Sequence, residues 1–105
     1  METYLIKFKK MSSKFQTKIK KQYQSEGYTV TKYQTTQSGY PDLLCTKINE
    51  VDIYIECKEF KDTLKPLQKF RIDQLIAAGK KAFCIQDKKG IIYPNEIENN
   101  INLNF

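Results

Sequence analysis

With 105 residues, of which 40% are hydrophobic and 29% charged, the chain has the size of one domain with a modest core. The lack of histidine excludes Ser-His-Asp and Cys-His catalysis, and no apolar run approaches the ~18 to 20 residues of a membrane span. The net charge of +6 lies in residues 1–40, with eight lysines and two glutamates, whereas the ten cations and ten acids of residues 41–105 cancel. Such asymmetry is typical of a protein that binds a polyanion.

These features predict the class and compartment of the protein. We expect a single domain over residues 1–105, with no membrane association. The N-terminal lysines follow the apolar residues, which is not the pattern of a signal peptide. The three cysteines are far apart within apolar runs, so we expect reduced thiols and a cytoplasmic location, in the host cell if the protein is viral.

The first clear element is a helix over residues 11–26; residues 1–10 fit either a strand or an extension of this helix. An apolar stripe recurs every four residues at Met11, Phe15, Ile19 and Tyr23. Ser13 with Gln16 suits the helix start, and Gly27 suits the left-handed position after its end. The other faces are rich in lysine, and we expect three of these side chains to contact phosphates: Lys14, Lys18 and Lys21. A solvated lysine face is the alternative.

Three strands are predicted next, over residues 28–36, 41–47 and 51–58, where β-branched and aromatic residues are enriched. The turns between them are short, which favours an antiparallel meander. Leu43 and Leu44 are adjacent, so we expect the middle strand to be covered on both faces.

The second half predicts another helix and another strand. Pro66 suits the first turn of a helix that reaches Ala78 and stops at Gly79. We expect four of its side chains to face inward: Leu67, Phe70, Leu75 and Ala78. A short buried strand over 82–86 and a turn into 91–93 follow. The tail from 94 to 105 fits a helix, a segment packed on the sheet, or a contact with a second subunit.

The strand over residues 51–58 places chemistry-bearing side chains together. Because alternate residues point to opposite faces, Ile53, Ile55 and Cys57 share one face of the strand. Tyr54, Glu56 and Lys58 share the other face. An acid and a base side by side on a short strand suit a binding cleft better than a core.

Three motifs in this order of elements resemble the core of the PD-(D/E)xK nuclease superfamily: Pro41-Asp42, Glu56-Cys57-Lys58, and Leu64-x-Pro66-x-Gln68. Over about residues 12–86 the chain is most similar to the small VRR-NUC and archaeal-type Holliday junction resolvase groups. The resemblance implies an α/β, restriction-endonuclease-like core, in which a helix, a three-strand meander, a second helix and a strand surround a mixed sheet.

The resemblance also implies metal-dependent hydrolysis of phosphodiester bonds. Asp42, Glu56 and the backbone carbonyl of Cys57 would hold Mg²⁺ or Mn²⁺, which suits a site of few carboxylates and several waters. Lys58 would orient the attacking water and stabilise developing negative charge. Gln68 would hold the site or the backbone. The alternative is that these side chains form a turn and a surface ion pair.

One feature departs from the family pattern, which places an acid on the first helix. No acidic residue lies between Glu2 and Glu26. Gln16 is the candidate that would offer a neutral oxygen to the water shell of the metal, and Glu26 sits late in the helix.

DNA is the expected partner, in branched or junction form, because no base-reading motif is present and the charge favours phosphate contacts. Gly39 and Tyr40 lie beside Asp42 in the chain and join the expected DNA-binding residues. Symmetric cutting of a junction would need a homodimer. The alternatives are a restriction or nicking nuclease and a catalytically inactive nucleic-acid-binding module of the same fold.

Overall fold

Short β-branched segments and two helices build the part of the chain that the computed structural model describes, residues 13–95. In chain order the elements are α1 (Lys14–Ser25), β1 (Thr29–Lys32), β2 (Leu43–Thr46), β3 (Ile53–Lys58), α2 (Pro66–Ala77), β4 (Lys81–Gln86) and β5 (Gly90–Tyr93). The expectations for residues 1–10 and for the tail beyond residue 95 lie outside the described residues. Neither described helix is long and apolar enough to cross a bilayer.

The strands form one mixed sheet in the order β1-β2-β3-β4-β5. Strands β1, β2 and β3 pair antiparallel as predicted, although residues 33–42 connect β1 to β2 by a loop and not by a short turn. Strand β4 pairs parallel with β3, because helix α2 carries the chain back to the end of the sheet where β3 began. Strand β5 then adds antiparallel to β4. The expected mixed sheet is therefore observed.

Helix α1 spans Lys14–Ser25, within the predicted residues 11–26, and has the predicted signals at both ends. The Ser13 hydroxyl accepts a hydrogen bond from the Gln16 backbone N–H at 2.9 Å. Gly27, one residue beyond the helix cap, has φ of +96°. Ile19 is buried in the core, and Phe15 and Tyr23 pack half-buried beside it, which confirms the described part of the apolar stripe.

The two faces of the sheet bury two separate clusters. Leu43 belongs to the cluster under α1, whereas its neighbour Leu44 packs against the cluster under α2. The first cluster comprises Ile19, Val30, Leu43, Cys45, Ile53 and Ile55. The second comprises Tyr54, Leu64, Ile72, Ala82 and Cys84. This arrangement confirms that β2 is covered on both faces and that the side chains of β3 alternate as predicted.

Three predicted strands are too long. The first strand spans Thr29–Lys32 rather than residues 28–36, the second begins at Leu43 rather than at residue 41, and the third begins at Ile53 rather than at residue 51. Residues 34–41 leave the β1–β2 ladder and form the loop that leads into the site.

The inward face of α2 differs from the prediction. Ile72 is fully buried, whereas Leu67 and Phe70 are 44% and 56% exposed and Ala78 is exposed. Only Leu75, of the four expected side chains, packs on the core. The helix is rotated so that Gln68, Ile72 and Leu75, spaced four and three residues apart, lie toward the sheet.

Candidate active site

Strand pairing brings the two carboxylates together. The Tyr33 backbone N–H donates to the Asp42 carbonyl at 2.8 Å, which extends the β1–β2 ladder to Asp42. In the β2–β3 ladder Leu43 opposes Ile55, so the same register places Asp42 opposite Glu56. Residues that oppose each other in an antiparallel pair lie on the same face of the sheet. Both acids therefore lie on the face that α2 covers.

Asp42 is also tied to the backbone of β3. Its Oδ2 accepts a hydrogen bond from the Cys57 N–H at 3.3 Å. The preceding residue, Pro41, is fully buried and fixes the chain where it enters the site. Asp42 and the Cys57 backbone are thus neighbours, as a shared metal site would need.

Glu56 is buried, with 4% of its surface exposed, and its side chain interacts with those of Asp42, Gln68 and Lys58. Gln68 donates from Nε2 to Glu56 Oε2 at 3.4 Å. The Lys58 Nζ lies 3.7 Å from the same oxygen. Gln68 also accepts a hydrogen bond from the Lys65 N–H at 2.9 Å, so its amide links the start of α2 to the acid.

The positive charge near this pair of acids does not offset the effect of burial on their pKa values. Burial raises the pKa of Glu56 well above its usual range, the Asp42 carboxylate raises it further, and Lys58 only partly opposes this. Burial also raises the pKa of Asp42, against the opposing effects of the Cys57 N–H, Glu56, Lys58 and Gln16. A cation between the two carboxylates would favour their ionised forms.

The donor set suits a hard divalent metal with few protein ligands. Among residues 13–95 no group of three or more His, Cys, Asp or Glu side chains is placed to hold a metal. Two carboxylates are sufficient for Mg²⁺, which keeps several waters and takes further oxygens from a bound phosphate. The residues therefore fit the metal that the sequence predicts.

Lys58 lies in a buried position that its loop maintains. Its ammonium is 3.9 Å from the carboxylate of Asp62, in the loop that follows β3. The buried Gln86 amide donates to three carbonyls of that loop, those of Glu59, Phe60 and Asp62, at 2.8, 3.1 and 2.7 Å. Gln86 was not singled out from the sequence. The signal that could have identified it is a polar residue at an inward-facing position of a buried strand.

Helix α1 contributes Gln16 to the site. The Gln16 side chain hydrogen-bonds to Asp42 and lowers its pKa, and both residues line one cleft. Glu26 caps the opposite end of the helix. Of the two residues considered for the missing acid, the structure places only Gln16 beside the carboxylates.

The loop before Asp42 is held by α2. Gly39 has φ of +85°, and a β-carbon there would lie 2.6 Å from the Leu67 Cγ. The Tyr40 ring lies 4.6 Å from the guanidinium carbon of Arg71, whose Nε donates to the Ser38 carbonyl at 3.0 Å. Arg71 was also missed, because nothing in the helix sequence indicates that it reaches this loop. Gly39 and Tyr40 thus both take part in packing this loop against α2.

The expected phosphate-binding lysines are exposed on α1. Lys14 and Lys18 line a cleft together with Phe15, Glu59 and Asp87. Lys21 is exposed farther along the helix. Tyr54, in contrast, is 8% exposed and belongs to the core, where its ring packs at 89° against Tyr33.

Comparison with known proteins gives a matching family model and solved structures of similar fold. The family model of the VRR-NUC domain matches residues 7–86. A solved structure of a VRR_NUC domain is 22% identical, with a TM-score of 0.58, over 82% of this chain and 88% of that one. Hjc, a Holliday junction resolvase from the archaeal hyperthermophile Archaeoglobus fulgidus, is 14% identical, with a TM-score of 0.54, over 69% of this chain and 64% of that one. No curated protein sequence matches the chain. At these identities the two structures show the fold alone, and they confirm the expected α/β nuclease-like architecture.

Proposed function

Because the chain belongs to the VRR-NUC family, we propose that it is a metal-dependent DNA endonuclease that hydrolyses phosphodiester bonds in branched DNA. The observation that carries the proposal is the pair of carboxylates, Asp42 and Glu56, on one face of the sheet with Lys58 beside them. The repulsion between the two acids would be relieved by a divalent cation.

The proposed metal is Mg²⁺ or Mn²⁺, held by Asp42, Glu56 and the backbone carbonyl of Cys57. When bound, such an ion activates water and neutralises charge on the phosphate. Gln16 would hydrogen-bond to water around the ion, since its amide already contacts Asp42.

Lys58 is the proposed electrostatic partner of the reaction. Its ammonium shares a face of the sheet with the acids and lies 3.7 Å from Glu56, so it can orient an attacking water. It would also stabilise negative charge that develops on the phosphate. Gln68 and Gln86 are positioning residues, because Gln68 holds Glu56 and Gln86 holds the loop that carries Asp62.

The proposed substrate is DNA with a branch, and in particular a four-way junction. The positive charge on α1, which includes the exposed Lys14, Lys18 and Lys21, would follow the phosphates without reading bases. Gly39 and Tyr40 would contact DNA from the loop beside Asp42. The similarity in fold to Hjc, a Holliday junction resolvase, favours a junction over a linear duplex.

The remaining parts of the proposal concern assembly and compartment. Residues 1–105 would form one nuclease domain, and two copies would act together, because symmetric cutting of a junction requires two related sites. We also propose a cytoplasmic location, since Cys45, Cys57 and Cys84 are all free.

The direct test is cleavage of a four-way junction, a flap and a linear duplex, each with Mg²⁺, Mn²⁺ or EDTA. We expect metal-dependent cutting of the junction, with symmetric nicks, and a loss of at least about 100-fold in Asp42→Asn and Lys58→Ala, since each removes charge stabilisation at the phosphate. Asp52→Asn is the matched control, because Asp52 pairs with Lys80 near the start of β3 and β4, at the end of the sheet remote from Lys58.

Cutting that is unaffected by Asp42→Asn would contradict the assigned site. Equal cutting of linear duplex would instead indicate a restriction or nicking enzyme. Binding without cutting in every metal would identify an inactive nucleic-acid-binding module, an alternative favoured by the lack of an acidic residue within α1.

A further inference from the structure

A second polar cleft opens directly beside Asp42. It has a volume of about 270 Å³ and is lined by Gln16, Lys32, Tyr33, Gln34, Tyr40 and Asp42, together with Pro41. Small-molecule pockets in proteins are typically ~300 to 1,000 Å³, so this cleft suits one small planar group and not a large ligand.

The lining side chains have the chemistry that recognises a nucleotide. Two tyrosine rings offer surfaces on which a base can stack. The amides of Gln16 and Gln34 each carry donors and an acceptor, which match the edge of a base. Lys32 adds positive charge for a phosphate or for the negative charge of Asp42.

The aromatic wall of this cleft is preorganised. The rings of Tyr33 and Tyr40 lie 5.6 Å apart at 63°. Tyr33 is supported from behind by Tyr54, at 5.1 Å and 89°. Tyr40 is held by Arg71 at 4.6 Å and donates through its hydroxyl to Gln74 at 3.3 Å. Rings that are already fixed lose little freedom when a ligand stacks on them.

The cleft is also fixed relative to the reacting phosphate. The Tyr33 N–H donates a hydrogen bond to the Asp42 carbonyl at 2.8 Å, which fixes one wall of the cleft next to the proposed metal ligand. A phosphate held next to Asp42 and Glu56 through the proposed divalent metal would present its adjoining nucleotide to this wall. A base within an intact duplex cannot enter, because its faces and edge are occupied by stacking and pairing.

We propose that this cleft receives one unpaired nucleotide next to the scissile phosphate, and that it thereby selects DNA in which a base is already free of its stack. The inference rests on the proposed function for its ligand. It supplies a physical reason for a preference for branched DNA, because branch points present unstacked bases at low cost.

The test measures binding, so it does not depend on cleavage. A four-way junction is labelled, and single nucleotides around the branch point are replaced one at a time by abasic sites. Affinity is measured in Ca²⁺. We expect one abasic position to weaken binding by the wild-type protein roughly tenfold, the scale of one base stacked on an aromatic ring.

Variants of the cleft then identify where that base binds. Tyr33→Leu should weaken binding of the intact junction by about the same factor and leave the abasic junction unchanged, because the two losses remove one interaction. Tyr33→Phe retains the ring and should resemble the wild type. Gln34→Ala changes an exposed side chain, so it tests the cleft even if Tyr33→Leu does not fold. It should weaken binding of the intact junction and leave binding of the abasic junction unchanged. Gln24→Ala, at an exposed glutamine of α1 outside the cleft, is the control.

Losses that are equal for intact and abasic junctions, or no sensitive abasic position, would overturn this inference. If the protein still cuts the junction in that case, the proposed function stands. If it neither binds nor cuts DNA, both proposals fail.

Discussion

At the scale of single residues, the two acids of the site are buried close together, which disfavours the state in which both are ionised. Glu56 is buried beside Asp42, and its lysine and glutamine neighbours only partly offset the repulsion. The arrangement disfavours the charged, metal-free protein and so favours uptake of a cation. The same two residues that would bind the metal should therefore destabilise the fold when no metal is present.

This leads to a prediction about stability and pH in EDTA. In the folded chain the pKa of Glu56 rises from 4.5 to about 8, so the native state binds more protons than the unfolded chain in this interval. Stability should therefore fall as pH rises from about 4.5 to about 8, by an amount on the order of a few kcal/mol. Glu56→Gln removes this loss, and urea unfolding at pH 5 and pH 8.5 should show it.

The control for this experiment is Glu50→Gln, which removes one exposed carboxylate from the turn between β2 and β3. We expect it to follow the wild-type pH profile. A wild-type protein that is equally stable relative to Glu56→Gln at both pH values would show that the buried acid is not protonated in the native state.

At the scale of elements, the site depends on how α2 docks on the loop before β2. Gly39 needs both its left-handed conformation and its missing β-carbon, because a β-carbon would clash with Leu67 at 2.6 Å. The same helix supplies Arg71 to Tyr40 and Gln68 to Glu56. Helix α2 thus contacts both segments that carry the acids, the loop that leads to Asp42 and strand β3.

Gly39→Ala should therefore cost more than a left-handed alanine alone. We expect about 1 kcal/mol from the backbone conformation and about 1–3 kcal/mol more from the overpacking against Leu67. Gly79→Ala is the matched control, because Gly79 has φ of +88° and a β-carbon there would meet nothing within 4 Å. Urea unfolding measures both, and Gly39→Ala with Leu67→Ala should recover part of the difference. Equal losses of stability at the two glycines would contradict the close packing of Gly39 against Leu67.

Much of this element scale could be predicted from the sequence. The apolar stripe and cap of α1 and the alternation of β3 are local patterns, and they placed Glu56 and Lys58 on one face. The rotation of α2 could not be predicted, because Leu67 and Phe70 are as apolar as the residue that is buried, Ile72. Which side faces the sheet depends on the contacts of Gln68 and Leu64 with distant strands.

At the scale of the whole molecule, the distribution of charge predicts how DNA binds. Lys14 and Lys18 lie on α1 and share a cleft with the loops that follow β3 and β4. Lys80 and Lys81 lie at the start of β4, at the opposite end of the parallel pair from Lys58. Placement, and not only net charge, should therefore govern affinity.

Replacing Lys14 and Lys18 together by alanine should weaken junction binding and reduce the slope of log K against log salt by about 2, one for each lost phosphate contact. The matched control replaces Lys80 and Lys81, which removes the same charge from the other end of the sheet. Fluorescence anisotropy at several salt concentrations measures the slopes. The same change of slope in both double variants would show that α1 does not face the DNA.

The sequence by itself determined the elements, the nuclease family and the shared face of Glu56 and Lys58, because capping, alternation and motif spacing act within a few residues. Only the tertiary structure decided which side chains surround the acids. Gln16, Arg71 and Gln86 reach the site or its loops from elements distant in the chain, and their contacts arise from register and docking angle, which no local pattern encodes.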